Sequence, residues 1–227
     1  MRILSIDVGK GTQDIMVYDS RKEIENSIKL VLPSPHLYIG QIMADVENDI
    51  YFNGEIMGGG NLKKRILEHM DKGYKVVMEE RCAKTIRDNL KEVESLGIEI
   101  ADSSKSYCGY TKITLGDIDI TKLAEFLIGY DLNFDFDKIA IAVQDHGHND
   151  NMGDRDFRFE KIREKLTEPL EPEKFGMCGN VPDYYSRMKG VEKRLEDEGI
   201  EIEPLLMDTK FASITGMQYD EVAKKLN

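Results

Sequence analysis

The stretch Arg2-Ile3-Leu4-Ser5-Ile6-Asp7-Val8-Gly9-Lys10-Gly11-Thr12-Gln13-Asp14-Ile15-Met16-Val17-Tyr18 decides the fold. Arg2 to Val8 is rich in Ile, Leu and Val and reads as a strand, Gly9-Lys10-Gly11-Thr12 as a tight turn, and Ile15 to Tyr18 as a second strand. A dinucleotide fingerprint would put a third glycine where Asp14 stands and a helix where Ile15-Met16-Val17-Tyr18 stands. A Walker A loop needs a longer gap before Gly-Lys-Ser/Thr. What remains is a strand–turn–strand unit. Its glycines let backbone N–H groups approach an anion, Thr12 adds a hydroxyl and Lys10 a point charge. Asp7, at the end of the first strand, is the expected magnesium-side carboxylate. An ordinary glycine-rich hairpin turn is the alternative reading.

Outward from this unit the chain alternates short apolar runs with amphipathic helical spacings, the pattern of an α/β layer fold. Ser27 to Leu32 is expected as a third strand, broken by Pro33-Ser34-Pro35, and Ile42 to Met57 as further extended structure. Gly58-Gly59-Gly60 leads into a helix with Leu62, Ile66 and Met70 on its apolar face. Tyr74 to Met78 and Ile98 to Ala101 read as strands around a helix carrying Ala83, Ile86, Leu90 and Val93. Leu123, Phe126, Leu127 and Tyr130 line another helix, and Lys138 to Gln144 reads as a strand buried on both faces. Later helices are expected around Phe159, Ile162 and Leu166, around Tyr184 to Leu195 with Asp183 as N-cap, and over Tyr219 to Leu226. Ile200 to Met207 is the expected last strand.

The composition narrows the function. Of 227 residues, 31 are Lys or Arg and 43 Asp or Glu, a formal net charge of −12, which disfavours non-specific nucleic-acid binding and anionic membrane surfaces. With 41% hydrophobic and 33% charged residues the chain reads as globular, and its longest apolar run, Ile139 to Val143, is too short for a bilayer. Asp7 interrupts the N-terminal apolar run, so no signal peptide is expected, and the expectation is a reduced, cytoplasmic protein.

Gln144-Asp145-His146-Gly147-His148-Asn149-Asp150-Asn151 is the densest group of ligand-type residues, and it follows the most strand-like segment. Asp145 could hold magnesium together with Asp7, or orient an attacking water, with His146 as an acid–base group. A second reading takes His146-x-His148-x-Asp150 as the start of a dinuclear metal motif, but no His follows His148. A third is a polar loop with local Asx turns. Gly58-Gly59-Gly60, before a helix, is read either as an anion-binding helix start or as a flexible turn.

The Asp7-x-Gly9 hairpin resembles the first phosphate loop of the actin, Hsp70 and sugar-kinase superfamily. Together, Asp7 to Asp14, Met57-Gly58-Gly59-Gly60 and Asp145-His146-Gly147 resemble an uncharacterised, mainly archaeal family often labelled as related to pyruvate formate-lyase activating enzyme. That label implies a radical-SAM cluster, which needs C-x-x-x-C-x-x-C. Cys82, Cys108 and Cys178 are too widely spaced to supply it.

The superfamily resemblance implies an actin-like or ribonuclease-H-like core, in a short version of the two-half fold. The expected division is an actin-like unit over residues 1–150 and an extension over 151–227 that starts a second half. It further implies Mg2+ with ATP or ADP, phosphate contacts from Gly9, Lys10, Gly11, Thr12, Gln13, Gly58, Gly59 and Gly60, catalytic roles for Asp7, Asp145 and His146, and metal binding by Asp7 and Asp145. The ligand would be a nucleotide or phosphorylated small molecule, and the activity an ATPase or phosphotransferase. Only one convincing phosphate loop is present, so the alternatives are a scaffold or regulatory subunit completed by a partner chain or a homodimer, and, third, a metal-dependent hydrolase.

Overall fold

In a computed structural model of the chain, residues 1–149, 151–166 and 172–213 are described. Two sheets are built from them. The first starts with a meander: β1 (Arg2–Val8), β2 (Thr12–Asp19) and β3 (Ile28–Pro33), each antiparallel to the last. On the other side of β1 lie β8 (Lys138–Val143) and β10 (Leu205–Asp208), both parallel to it, then the short antiparallel β9 (Met177–Cys178). The resulting order, β3-β2-β1-β8-β10-β9, has the three-strand meander and the parallel neighbours expected of a ribonuclease-H-like core. Strand alternation sends Leu4, Ile6 and Val8 to one face. There they pack with Ile139, Ile141, Val143 and Leu206 under α5 (Ile120–Ile128) and α7 (Ser186–Asp197).

The second sheet is inserted between β3 and α5. Its order is β6-β5-β4-β7, all parallel, from β4 (Ile50–Gly54), β5 (Val76–Met78), β6 (Glu99–Ile100) and β7 (Thr111–Leu115). Helices α1 (Pro35–Ala44), α2 (Leu62–Asp71), α3 (Glu80–Ala83) and α4 (Leu90–Ser95) lie in the same insertion, and their apolar residues join its core: Ile39, Met43, Leu62, Ile66, Cys82, Ala83 and Val93. Helix α6 (Asp154–Lys165) is tied to β10 by Arg158, whose guanidinium lies 2.7 Å from the buried Asp208 carboxylate.

Three expectations need correction. The segment from Ile42 starts inside α1, because Pro33-Ser34-Pro35 ends one strand and begins a helix: Pro35 takes the first helical position, where its missing N–H costs nothing. Strand β7 was not anticipated, since Thr111-Lys112-Ile113-Thr114-Leu115 carries only two inward apolar residues, Ile113 and Leu115. The single helix expected to carry Ala83, Ile86, Leu90 and Val93 is two, α3 and α4, separated by residues 84–89. The helix expected over Tyr219 to Leu226 lies outside the described residues.

Candidate functional site

Where chains leave the carboxyl ends of parallel strands, loops from neighbouring strands converge, and α/β proteins bind ligands there. Both sheets direct such ends at one cleft of about 250 Å3. Gly9 and Lys10 follow β1, Gln144 follows β8, Gly58-Gly59-Gly60 follows β4 and Asp117 follows β7. Pro35 and His36 open α1, and Arg187 comes from the first turn of α7. In the inserted sheet β4 is where the order reverses, with β5 on one side and β7 on the other, so the Gly58 and Asp117 loops flank a topological switch point.

The turn that carries Lys10 is pinned. Gly9 N–H donates to the Thr12 carbonyl at 2.9 Å, and the fully buried Ser34 hydroxyl donates to the Gly9 carbonyl at 2.6 Å. Ser34 precedes α1, but its hydroxyl is spent on the turn and makes no cap bond to the helix.

Asp117 and Arg187 organise the floor. Asp117 is 3% exposed and accepts from Arg187 Nε at 2.8 Å and Nη2 at 2.7 Å, a bidentate pair, and from Gly58 N–H at 2.9 Å. Arg187 also donates to the Gln144 carbonyl. Burial works against the guanidinium's charge, but the Asp117 carboxylate, aided by Asp145 and Asp208, raises its pKa above the ordinary value. One guanidinium thus ties the inserted sheet to the core sheet.

Each glycine of Gly58-Gly59-Gly60 is demanded by a different neighbour. A Cβ would meet Arg187 Nη2 at 2.8 Å from Gly58, the Thr85 carbonyl at 2.7 Å from Gly59, and His36 Cδ2 at 2.2 Å from Gly60, whose φ is +47°. Burial pushes the His36 imidazole below its ordinary value, with Arg187 and Lys10 adding to the effect against Asp117. His36 lines the cleft beside Gly58-Gly59-Gly60.

Strand alternation scatters the remaining predicted residues. Gly11 and Thr12 line a separate hollow with Asn61 and Arg65, and Gln13 lines a third cavity. Asp7 and Asp14 are register partners on the face of the core sheet away from α5 and α7, beside Met16, Ala140, Ala142, Met207 and Ala212. Burial, then the Asp14 charge, raises the Asp7 carboxyl above its ordinary value.

Asp145 is on the helix-covered side. It is 2% exposed and accepts N–H groups of Gly147 at 2.9 Å, Arg187 at 2.9 Å and Met188 at 3.0 Å. It caps α7, the task expected of Asp183. Burial raises its carboxyl, opposed by those amide bonds. Asp7 thus lines the groove with Asp14, whereas Asp145 is turned to the start of α7. A carboxylate that accepts three amide N–H groups is poorly placed to ligate a cation.

His146 bonds through Nδ1 to the Gly147 carbonyl at 2.7 Å and lines a neighbouring cavity with Lys84, Arg87 and Ser186. His148 Nδ1 lies 3.9 Å from Asp88, and Asp150 is outside the described residues. Among the described residues no three His, Cys, Asp or Glu side chains are grouped to hold a metal.

The sequence reading missed Asp117, Arg187, His36 and Ser34. Asp117 and His36 were hidden by their elements: Gly116-Asp117 follows the unanticipated β7, and His36 opens α1, whose proline start reads equally as a break. Arg187 carried no signal, being one cation among many on a charged helix.

The family described as "Putative pyruvate format-lyase activating enzyme (DUF1786)" matches residues 57–227. No curated protein matches the chain. A crystal structure of the Ppx/GppA family member from Aquifex aeolicus is similar at 13% identity, covering 100% of this chain and 99% of that one, with a TM-score of 0.21, too low to carry an argument. The cysteines do not supply the C-x-x-x-C-x-x-C run of a radical-SAM cluster. Cys82 is buried in the inserted sheet's core, its thiol pushed up to about 12 chiefly by burial, whereas Cys108 and Cys178 are exposed, Cys178 on β9 of the other sheet. Among the described residues no helix is long and apolar enough to cross a membrane.

Proposed function

The chain belongs to this family, and from that premise we propose that it binds the phosphate end of a nucleotide or other phosphorylated small molecule in the cleft between its two sheets. One observation carries the reading. In a chain of net charge −12, the carboxyl ends of both sheets gather Lys10, Arg187, His36 and the glycine backbones of the Gly9 and Gly58 loops around a single cleft. Among these, Lys10 is exposed and supplies the mobile charge, while Arg187 is held by Asp117 and sets the cleft's shape. At about 250 Å3 the cleft suits a phosphate or diphosphate group, with the rest of the ligand outside it.

Binding is favoured over hydrolysis. Both carboxylates nearest the cleft are committed, Asp117 to Arg187 and Gly58, Asp145 to the start of α7. Neither is available to orient an attacking water. A regulatory or scaffold role for the bound form follows more directly than a phosphotransferase.

The test is calorimetric titration with inorganic pyrophosphate, ADP and ATP, with and without magnesium, on the wild-type chain and on Lys10→Ala. Pyrophosphate binding weakened about tenfold by Lys10→Ala, in protein of unchanged melting temperature, is the expected result. Equal binding by both proteins, or no binding by folded wild type at millimolar ligand, would overturn the reading.

A further inference from the structure

A second cavity, of about 330 Å3, lies behind the cleft wall, at the joint between the inserted sheet and the core sheet. Gly116 and Ile118, on either side of Asp117, line it, and Gln13 reaches from it to donate to the Asp117 carbonyl at 3.4 Å. Its floor is carbon: Ile15, Leu32, Leu115 and Leu123 turn buried or half-buried side chains into it. Its rim is aromatic. Tyr38 from α1 and Phe126 from α5 are both 42% exposed, although each is large enough to contribute strongly to a core. The Lys122 ammonium sits 4.7 Å above the Tyr38 ring and 3.1 Å from Asp119, so its charge is already partnered and that ring is held at the rim. Its polar side chains are few: Gln13, Thr114, Asp119, Lys122 and Arg194, the last paired with Glu198.

This combination meets the size and composition of small-molecule sites, mostly apolar with a few polar groups that fix orientation. From the aromatic rim, the carbon floor and these few polar groups, we infer that the cavity binds an uncharged heteroaromatic molecule of one or two rings. The ring enters between Tyr38 and Phe126, and its hydrogen-bonding edge meets Gln13 and Asp119. An anionic head is disfavoured because Asp119 already neutralises Lys122. The site stands whether or not the cleft takes phosphate, since the two share only Pro35 in their linings.

The probes are adenosine, uridine and indole, titrated singly and followed by heat and by chemical-shift changes of amides around Gly116 and Leu123. At least one should bind, and Phe126→Ala, a rim substitution away from the packed core, should weaken it about tenfold. Leu123→Trp, which fills the floor, should abolish binding, provided the variant melts cooperatively. Pyrophosphate affinity should be unchanged in Phe126→Ala, which separates this site from the cleft. If no ring compound binds folded wild type, or if Phe126→Ala binds it as well as wild type does, the inference is wrong.

Discussion

The two faces of the core sheet meet at one hairpin yet prepare different surfaces. On the helix-covered side, the residues that follow β1 and β8 enter a network in which Asp145 caps α7, Arg187 of that helix grips Asp117, and Asp117 fixes the Gly58 loop. On the side away from α5 and α7, Asp7 and Asp14 face each other across β1 and β2 in a mostly apolar shallow groove. One residue's step along a strand exchanges these environments. The difference separates two uses of carboxylate: buried and saturated with donors, it organises loops; half-covered beside a like charge, it is strained electrostatically.

The comparison breaks most visibly at Arg187. Arg187→Met leaves Asp117 buried without its cation and should cost about 4 kcal/mol in urea unfolding, and adding Asp117→Leu should recover a large part of the loss. An unchanged midpoint in the single variant would mean that the pair does not join the sheets. Asp145→Ala should cost about 3 kcal/mol, because it strips the α7 cap and orphans three amide donors. A loss of only a few tenths would show that water replaces the carboxylate.

Gly60→Ala tests the loop rather than the network. The left-handed φ and the His36 ring 2.2 Å from the new Cβ should cost about 2 kcal/mol and displace His36, visible as a shift of its imidazole resonances. Asp7→Asn, on the face away from α5 and α7, should act in the opposite direction and weakly. The folded-state carboxyl is raised, so the native state holds its proton to higher pH than the unfolded chain does, and Asp7 lowers stability as pH rises through that interval. Removing the charge should therefore stabilise by about 0.3 kcal/mol at pH 7, with no change at pH 3. Destabilisation at pH 7 would show that the Asp7 carboxylate has a favourable partner on that face.

Much of the fold was readable from local pattern. Strands β1, β2, β3, β5, β6 and β8 and helices α2, α5, α6 and α7 follow from apolar periodicity and from stops such as Gly73 and Gly199, which report neighbours within a few residues. The Gly9-Lys10 turn and the Gly58 loop were legible as anion-binding candidates for the same reason: glycine spacing is a backbone statement that needs no tertiary partner. Helix α1 was misread because a proline pair marks a break and a beginning equally well.

The sequence by itself determined the α/β class, the N-terminal hairpin, the acidic balance and the glycine loops, all properties of contiguous residues. Only the tertiary structure decided that Gly9-Lys10 and Gly58-Gly60 share a cleft while Asp7 does not, and that Asp145 caps a helix 42 positions away. It also joined Asp117 to Arg187 across 70 residues. The physical reason is that a strand's two-residue period assigns faces, but which helix or sheet covers a face depends on chain packing from elsewhere. A carboxylate's role is set by the donors that packing brings to it.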